Sequence, residues 1–248
     1  MAPILQLKEV TGGYSLNKPV LHQITFDVGP GEIVGLLGLN GAGKSTTMKH
    51  ILGTMMPHHG RILVNQTTLQ QSPDTYRASY AYVPEAPVLY EELTVTEHLH
   101  LTSMAYGIEE SVYHKRLDEL MKDFNMADKA DRFPYQLSKG MKQKIMIMCA
   151  FLAKPPLYII DEPFLGLDPL GIRSLLDRMV QMQQDGASIQ MSSHILSMLE
   201  SYCDRYVVLN RGRVIANGTL QQLREQLKQT EEARLDDLFY MLIKGDGA

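Results

Sequence analysis

The spacing of hydrophobic positions changes along the chain. Residues 4–10 and 20–28 alternate in part between apolar and polar side chains, and residues 33–37 form a compact apolar segment that runs into glycines. These patterns predict short strands. Residues 43–52 then predict a helix, for which Gly53 is a typical C-terminal stop. The opening third therefore favours a strand-rich region that ends in a strand–glycine–helix unit.

From about residue 94 to residue 153 the spacing becomes helical. Thr94 can cap a first helix because Glu97 follows three residues later, and a charged helix is expected near residues 112–124. A third helix should begin at Ser138, since apolar residues recur after it at helical intervals. The region reads as a helical insertion within an α/β domain.

After residue 156, apolar strands and helices alternate. Strands are predicted at residues 157–161, 187–191, 206–209 and 214–216, with helices at 169–184 and 194–202 and two short helices near the C-terminus. This order predicts an α/β fold with a mostly parallel sheet, which binds ligands beyond the carboxyl ends of its strands. The apolar stripe Leu235, Leu238, Phe239 and Leu242 in the tail should pack on the chain's own domain.

Composition narrows the function classes. The net charge of −4 does not favour nonspecific nucleic-acid binding, and the longest apolar run, residues 145–153, is too short to span a bilayer. Cys149 and Cys203 show no metal or redox spacing, and the N-terminus lacks a signal-peptide pattern. The adjacent His58 and His59 predict an exposed turn rather than a metal site. We therefore expect a cytosolic chain, so any membrane span must come from another subunit.

Residues 38–46, GLNGAGKST, form a glycine-rich segment that we call the phosphate loop. It fits the pattern G-x-x-x-x-G-K-[ST] and lies between an apolar strand and a helix, which is the context that supports such a match. Glycines let the backbone curl around phosphates, and the helix start adds favourable potential for anions. A glycine-rich turn with a chance lysine is the alternative. The predicted nucleotide-binding residues of the loop are Asn40, Gly41, Ala42, Gly43, Lys44, Ser45 and Thr46.

Two adjacent acidic residues, Asp161 and Glu162, stand where the apolar strand 157–161 ends. In a phosphate-loop domain, Asp161 at the strand end would complete the Mg²⁺ shell together with Ser45, and Glu162 could polarise a water for attack on the γ-phosphate. Solvated strand-end charges are the alternative interpretation. No G-x-S-x-G motif is present, which argues against a serine hydrolase.

Residues 136–144, QLSKGMKQK, hold three lysines and no acid at the start of a predicted buried helix. Unpaired positive charge at a helix start favours an anionic ligand. For Lys142 and Lys144 we expect a solvated face, whereas Lys139 is expected to act electrostatically on the ligand.

Together these motifs resemble the nucleotide-binding subunits of ATP-binding-cassette (ABC) transporters, most closely the Ecs-type bacterial ABC ATPases. The signature segment, residues 137–141 (LSKGM), is similar to the family's LSGGQ, and the D-loop, residues 166–170 (GLDPL), precedes the SSH that ends at His194. The resemblance implies a P-loop NTPase domain with an antiparallel β subdomain and a helical insertion. Its implied ranges are 1–93 and 154–218 for the ATP-binding core, 94–153 for the signature subdomain and 219–248 for the tail.

The resemblance also implies roles for residues beyond the phosphate loop. Tyr14 would stack on adenine, and His194 would contact the γ-phosphate. Two copies would meet head to tail, so that Ser138 and Gly140 of one copy, with Lys139 and the D-loop residue Asp168, reach the ATP of the other. ATP and Mg²⁺ are the implied cofactors.

Two positions depart from the family pattern. Met141 replaces a glutamine, which removes a polar contact. Glu85 stands where the family has a glutamine that approaches Mg²⁺ and the attacking water, so Glu85 is a candidate catalytic residue and metal ligand. Beside Asp161 and Glu162 it would add repulsion and raise a carboxyl pKa. A stronger Mg²⁺ dependence and an altered pH profile are therefore expected.

The implied function is that of an ATPase subunit that powers a bacterial ABC transporter, an exporter, from the cytoplasmic face of the membrane. A transmembrane permease subunit and a second copy of the chain would be its partners, and no nucleic acid is expected. The apolar residues after Glu85 would border a groove for a permease helix (Val88, Leu89, Tyr90 and Leu93). The alternatives are a soluble ABC ATPase that acts on ribosomes or DNA, and a P-loop kinase or GTPase, which would lack the signature segment.

Overall fold

A computed structural model describes residues 2–245 of the chain. Within it, a small antiparallel sheet has the strand order β2-β1-β4, formed by β1 (Leu5–Gly12), β2 (Leu21–Val28) and β4 (His59–Val64). Alternate residues of β1 and β2 are buried, as the partial alternation of the sequence predicts. This sheet confirms the antiparallel β subdomain.

A larger sheet forms the centre of the fold. It consists of β5 (Tyr80–Val83), β6 (Leu157–Asp161), β7 (Ser188–Ser192), β3 (Ile33–Gly38), β8 (Arg205–Asn210) and β9 (Arg213–Gly218), in this spatial order. All neighbouring strands are parallel except the β8–β9 pair at the edge. Every residue of β3, β6 and β7 is buried, which explains the near-continuous apolar sequences of β3 and β6. The predicted mostly parallel sheet is confirmed.

The described helices lie between and after these strands. Their bounds are α1 (Lys44–Ile51), α2 (Pro73–Ala78), α3 (Val95–Ala105), α4 (Glu110–Asp123), α5 (Lys139–Ala153), α6 (Pro169–Gln184), α7 (Leu196–Tyr202), α8 (Leu220–Gln226) and α9 (Leu235–Gly245). Helices α3, α4 and α5 follow one another between β5 and β6, where the sequence predicts a helical insertion. No helix within residues 2–245 is long and apolar enough to cross a membrane.

The central sheet separates two hydrophobic cores. On β3, Ile33 and Leu37 belong to the core shared with the helical insertion and the C-terminal helices. Val34 and Leu36 belong to the core shared with the antiparallel sheet. Because successive side chains of a strand point to opposite faces, the strand that leads into the phosphate loop is anchored in both cores.

Four elements differ from the sequence prediction. Helix α2 and strand β5 were not predicted, since both are short and carry little periodic signal. The expected turn at His58 and His59 is wrong in part, because His59 begins β4 by pairing with Thr11 of β1. Helix α7 begins at Leu196, so His194 lies on the loop before it rather than in the helix.

The predicted helix start at Thr94 is confirmed. The Thr94 hydroxyl accepts a hydrogen bond from the Glu97 amide at 3.3 Å, and the Thr94 amide donates to Glu97 Oε2 at 2.7 Å. These reciprocal bonds satisfy backbone groups that the first turn of α3 leaves without intrahelical partners.

The C-terminal stripe packs on the chain's own domain, as predicted. Leu235, Leu238 and Leu242 of α9 are buried in the core that includes Leu199 of α7. The Leu235 amide donates to Glu200 Oε2 at 3.1 Å, which fixes the start of α9 against α7. The implied ranges 1–93 and 219–248 reach residues 1 and 246–248, which lie outside the described residues.

Candidate active site

The carboxyl ends of neighbouring parallel strands bring the predicted catalytic groups together. Strand β7 lies between β3 and β6, so the phosphate loop after β3, the acidic pair at the end of β6 and the segment after β7 meet at one edge. A cavity of about 440 Å³ opens there. It is lined by Tyr14, Val20, Leu39, Asn40, Gly41, Gly43, Lys44, Ser45, Thr46, Glu85, Asp161, Glu162 and His194. Of the predicted loop residues, only Ala42 does not line it, because its side chain is buried beneath the loop.

Two loop glycines adopt conformations that other residues rarely allow. Gly41 has φ 80° and Gly43 has φ 110°, and Gly43 forms the cap of α1. A Cβ on Gly43 would also lie 2.8 Å from a methyl carbon of Leu21. Helix α1 carries no acidic residue in its first turn, so its N-terminal potential is available to an anion.

Lys44 is buried at the N-terminal end of α1, with 8% of its surface exposed. Its ammonium donates to the Gly38 carbonyl at 2.7 Å, which fastens the side chain across the loop. Burial lowers the pKa of Lys44, while Glu162 and Asp161 act in the opposite direction. The ammonium therefore lies between the loop and the acidic strand end, where a bound phosphate would need a positive group.

The acidic pair is held by β7. The Ser192 hydroxyl donates to Asp161 Oδ1 at 2.6 Å, and the Glu162 amide donates to the Ser192 carbonyl at 3.2 Å. Glu162 has φ 46°, a left-handed conformation that is costly for a residue with a side chain. The turn sends the chain away from the sheet directly after Asp161.

His194 is bonded to Glu162 through its backbone. Its amide donates to Glu162 Oε2 at 3.0 Å, and its Nε2 lies 3.3 Å from Glu162 Oε1. Burial raises the pKa of Glu162, although the His194 contacts partly offset this. A carboxylate with a raised pKa and a nearby imidazole is suited to accept a proton from water.

Burial likewise raises the pKa of Asp161, and the charge of Glu85 raises it further. Glu85 is exposed and lines the cavity, so the predicted repulsion between these carboxylates is present. The loop before Glu85 is attached to α5, because the buried Gln143 amide donates to the Pro84 carbonyl at 2.9 Å. Sequence reasoning missed Gln143, which carries no motif signal of its own.

The residues of the signature segment lie apart from the cavity. Ser138 caps α5 by accepting a hydrogen bond from the Met141 amide at 3.3 Å, and both Ser138 and Lys139 are exposed. Gly140 packs against the D-loop so closely that a Cβ would lie 2.2 Å from the Gly166 carbonyl oxygen. Within residues 2–245, neither the signature segment nor Asp168 contributes to the cavity lining.

The prediction of a solvated Lys144 is wrong. Lys144 is buried, and its ammonium forms an ion pair with Asp168 Oδ1 at 3.0 Å. The same oxygen accepts from the Gly171 amide at 3.0 Å and caps α6. Lys144 thereby lowers the pKa of Asp168 and joins α5 to the D-loop. Lys142 is partly exposed, and its ammonium lies 3.7 Å from Glu91 Oε1. Such a surface ion pair contributes little to stability.

Two supporting residues of the cavity were also missed. Ser192 lies in the SSH segment, whose sequence signal concerns only the histidine, although the Ser192 hydroxyl donates to Asp161. Lys49 donates to the hydroxyl of Tyr14 at 3.1 Å, and the two residues are far apart in sequence, so no local pattern could reveal the pair.

Comparison with known proteins identifies the family. The chain matches the family described as ABC transporter over residues 21–165. The chain belongs to the ABC transporter family. The fold expected of a P-loop ABC ATPase is therefore confirmed, and this ABC ATP-binding subunit binds ATP.

Individual relatives agree with this assignment. The chain is 55% identical over 243 residues to the ABC-type transporter ATP-binding protein EcsA of Bacillus subtilis, which covers 98% of each protein. It is 31% identical to the probable multidrug ABC transporter ATP-binding protein YbhF of Escherichia coli, across 97% of this chain and 42% of YbhF. A solved structure described as the ATP binding subunit of an ABC transporter has a TM-score of 0.94 and 53% identity, covering 96% of this chain and 99% of that one. The predicted Ecs-type resemblance is confirmed.

Proposed function

We propose that this ABC ATPase hydrolyses ATP at the cavity described above and that the turnover opens and closes a pair of its copies. Lys44 and the loop amides bind the β- and γ-phosphates, Glu162 accepts a proton from the attacking water, and His194 contacts the γ-phosphate. Tyr14 stacks on the adenine. The raised pKa of Glu162 and its contact with His194 support the role of base.

The cavity also fits Mg²⁺ carried by the nucleotide. Within residues 2–245 no three His, Cys, Asp or Glu side chains cluster closely enough to hold a metal by themselves. Mg²⁺ usually binds one or two protein carboxylates together with substrate phosphates, so a dedicated cluster is not required. Asp161 and the Ser45 hydroxyl are suited to hold the ion. The charge of Glu85 acts on Asp161, so Glu85 would also change how strongly the ion is bound.

The observation that carries the proposal is the separation of two anion-binding features. The phosphate loop forms one wall of a cavity, whereas the exposed start of α5 at Ser138 and Lys139 lies outside that cavity. Two-fold symmetric pairing would bring the α5 start of each copy onto the ATP of the other, in an isologous C2 dimer. Each nucleotide would then be enclosed by two chains.

We further propose that a transmembrane permease subunit is the working partner and that the transporter is an exporter. The exposed Val88 and Tyr90, 77% and 62% accessible, offer an apolar contact surface beside the loop that carries Glu85. The likeness to YbhF, described as a probable multidrug transporter protein, supports export. The peripheral position at the cytoplasmic face follows from this partner.

Dimer formation tests the proposal directly. The Glu162→Gln protein should bind ATP and Mg²⁺ and form a dimer in size-exclusion chromatography with light scattering, because the trapped nucleotide is not hydrolysed. Adding Ser138→Arg in the same background should keep ATP binding but prevent dimerisation, since the bulky cation blocks the α5 start. A Glu162→Gln protein that stays monomeric at saturating ATP and Mg²⁺, alone and with its membrane partner, contradicts the proposal.

Copurification tests the partner. The tagged chain, isolated from its own cells in mild detergent, should carry a hydrophobic membrane protein with it. Val88→Asp combined with Tyr90→Asp should release that protein while ATP hydrolysis by the isolated chain continues. Recovery of ribosomes or DNA instead of a membrane protein would favour the soluble alternative.

A further inference from the structure

Tyr14 has a charged partner on the helix that begins in the phosphate loop. The Lys49 ammonium, on α1, donates to the Tyr14 hydroxyl at 3.1 Å and lies 5.2 Å from the centre of the ring. The shorter distance is to the hydroxyl, so the cation is held at that end of the ring. The ring remains 68% exposed, which leaves room for a flat ligand to stack on it.

This contact restrains a side chain that is otherwise largely exposed to solvent. An exposed tyrosine before a turn would exchange between rotamers, and a stacking ligand would have to fix it at an entropic cost. A hydrogen bond from a charged donor is stronger than one between neutral groups and restricts the ring to one orientation. Lys49 therefore organises the stacking surface before any ligand arrives.

His50, the next residue of α1, contacts the segment that carries Tyr14 at a second point, Gly12. His50 is 2% exposed, and a Cβ on Gly12 would lie 2.1 Å from its Nε2. The other ring nitrogen, Nδ1, lies 2.9 Å from the Thr46 carbonyl oxygen, which fixes the ring against its own helix. Gly12 is thus required by close contact, and two consecutive residues of α1 hold the chain from Gly12 to Tyr14.

We propose that Lys49 is a positioning residue that sets Tyr14 as an adenine platform at a fixed distance from the phosphate loop. This inference rests on the proposed ATP binding at the cavity and adds a residue to it. Helix α1 starts at Lys44 in the loop and carries Lys49 one turn and a half later, so the same rigid element sets both ends of the nucleotide site. Lys49 acts on the base end and leaves the phosphate end unchanged.

Matched ligands separate these two ends. Isothermal titration calorimetry would compare ADP with pyrophosphate, which lacks the base and ribose, on the full chain. Lys49→Met should weaken ADP binding about three- to tenfold, the size expected for an aromatic or cation contact, and leave pyrophosphate binding unchanged. Lys49→Arg should retain ADP affinity, and Lys115→Met, an exposed lysine on α4, serves as the charge control.

A double-mutant cycle identifies the partner. Tyr14→Ala should weaken ADP binding, and adding Lys49→Met to it should cause no further loss, because Lys49 acts through the ring. The phenol also reports the contact, since the hydrogen bond from Lys49 lowers the pKa of Tyr14. Subtracting the ultraviolet titration of Tyr14→Phe from the parent isolates this phenol, whose ionisation should move to higher pH in Lys49→Met.

Each other outcome overturns the inference in an identifiable way. Equal loss of ADP and pyrophosphate affinity in Lys49→Met would mean that Lys49 serves the phosphates. Unchanged ADP binding in Lys49→Met beside a weakened Tyr14→Ala would reject Lys49 but keep the adenine platform. If Tyr14→Ala also binds ADP normally, the platform in the proposed function fails together with the inference.

Discussion

Helices α1 and α5 both begin with an anion-attracting end, but the surroundings of the two ends differ. The start of α1 lies in a cavity, where Lys44 is 8% exposed and faces Asp161 and Glu162. The start of α5 lies at the surface, with Ser138 and Lys139 exposed. Neither helix has an acidic residue in its first turn. Neither helix dipole is therefore offset by an acid in the first turn, while the predicted catalytic groups accompany only the α1 end.

The contrast is what the proposed sharing of each ATP site between two copies requires. The α1 end is formed within one chain. The Ser192 hydroxyl and the His194 amide fix its two carboxylates by hydrogen bonds. The α5 end is positioned by the close contact of Gly140 with Gly166 and by the ion pair of Lys144 with Asp168. An exposed helix start with no acid in its first turn is suited to the proposed contact with a nucleotide that another copy presents.

Mixing two inactive variants should give the largest effect. Lys44→Ala disables the α1 end, and Ser138→Ala removes the hydroxyl of the α5 end without the bulk of Ser138→Arg that blocks pairing, so each protein alone should lose nearly all ATP hydrolysis. In mixed dimers one site combines both defects and the other has neither. Random mixing should therefore restore about a quarter of the wild-type turnover per chain if sites act independently. Phosphate release from the mixture measures this, and activity no higher than that of the separate variants would contradict the divided site.

Gly140→Ala should disturb the α5 end more than its small volume suggests. The new methyl group would meet the Gly166 carbonyl oxygen at 2.2 Å, so the D-loop must shift. Overpacking of this kind typically lowers the free energy of unfolding by about 1–3 kcal/mol. Urea unfolding measures the loss, and Gly245→Ala is the control because nothing lies within 4 Å of its Cβ position. Equal stability of the two variants would mean that the D-loop can move away from the added methyl group without loss of stability.

Glu85→Gln should move the pH dependence at the α1 end. Glu85 raises the pKa of Asp161, so its removal lowers that pKa and shifts the acid limb of the ATPase profile to lower pH. Because the folded pKa values of Asp161 and Glu162 lie above the ordinary 3.8 and 4.5, the ligand-free fold loses stability as pH rises through them. Glu85→Gln should reduce that loss.

Steady-state rates and thermal melts across pH, at several Mg²⁺ concentrations, measure both effects of Glu85. Glu92→Gln removes a nearby exposed carboxylate and is the matched control. Identical pH and Mg²⁺ curves for wild type and Glu85→Gln would show that Glu85 does not influence the site.

Lys139→Gly should have the smallest effect. An exposed charge at a helix start contributes about 0.3–1 kcal/mol, so ATP-dependent dimerisation in the Glu162→Gln background should weaken about two- to fivefold. Lys139→Gln separates the charge from backbone freedom, and Lys142→Gln is the control. The difference should shrink as salt screens the exposed charge. Equal dimer affinities at low salt would remove any electrostatic role for Lys139.

The groups that line the α1 end could be predicted from sequence because they are carried by contiguous motifs on strongly apolar strands. Strands β3 and β6 are buried on both faces, so their apolar runs were recognisable, and the residues that follow them had to emerge at one sheet edge. Tyr14, the phosphate loop, Asp161, Glu162 and His194 do meet there. Their catalytic and ligand-binding roles stay predictions.

The contacts that support these groups could not be predicted, because they join residues far apart in sequence. The charge pattern of residues 136–144 suggested a solvated lysine face, but the pattern does not show that Asp168 caps α6 within reach of Lys144. Likewise the bond from Gln143 to Pro84 spans an interval that no periodicity describes. Short α2 and β5 were missed since their patterns are too brief to exceed background.

Gln143 also gives the molecule a mechanical property. Its buried amide ties α5 to the backbone next to Glu85, while the following residue ties the same helix to the D-loop. One helix therefore links the backbone beside Glu85 to the residue that caps α6, through two adjacent side chains. Removing the Gln143 amide would break the first of these links and leave the second in place.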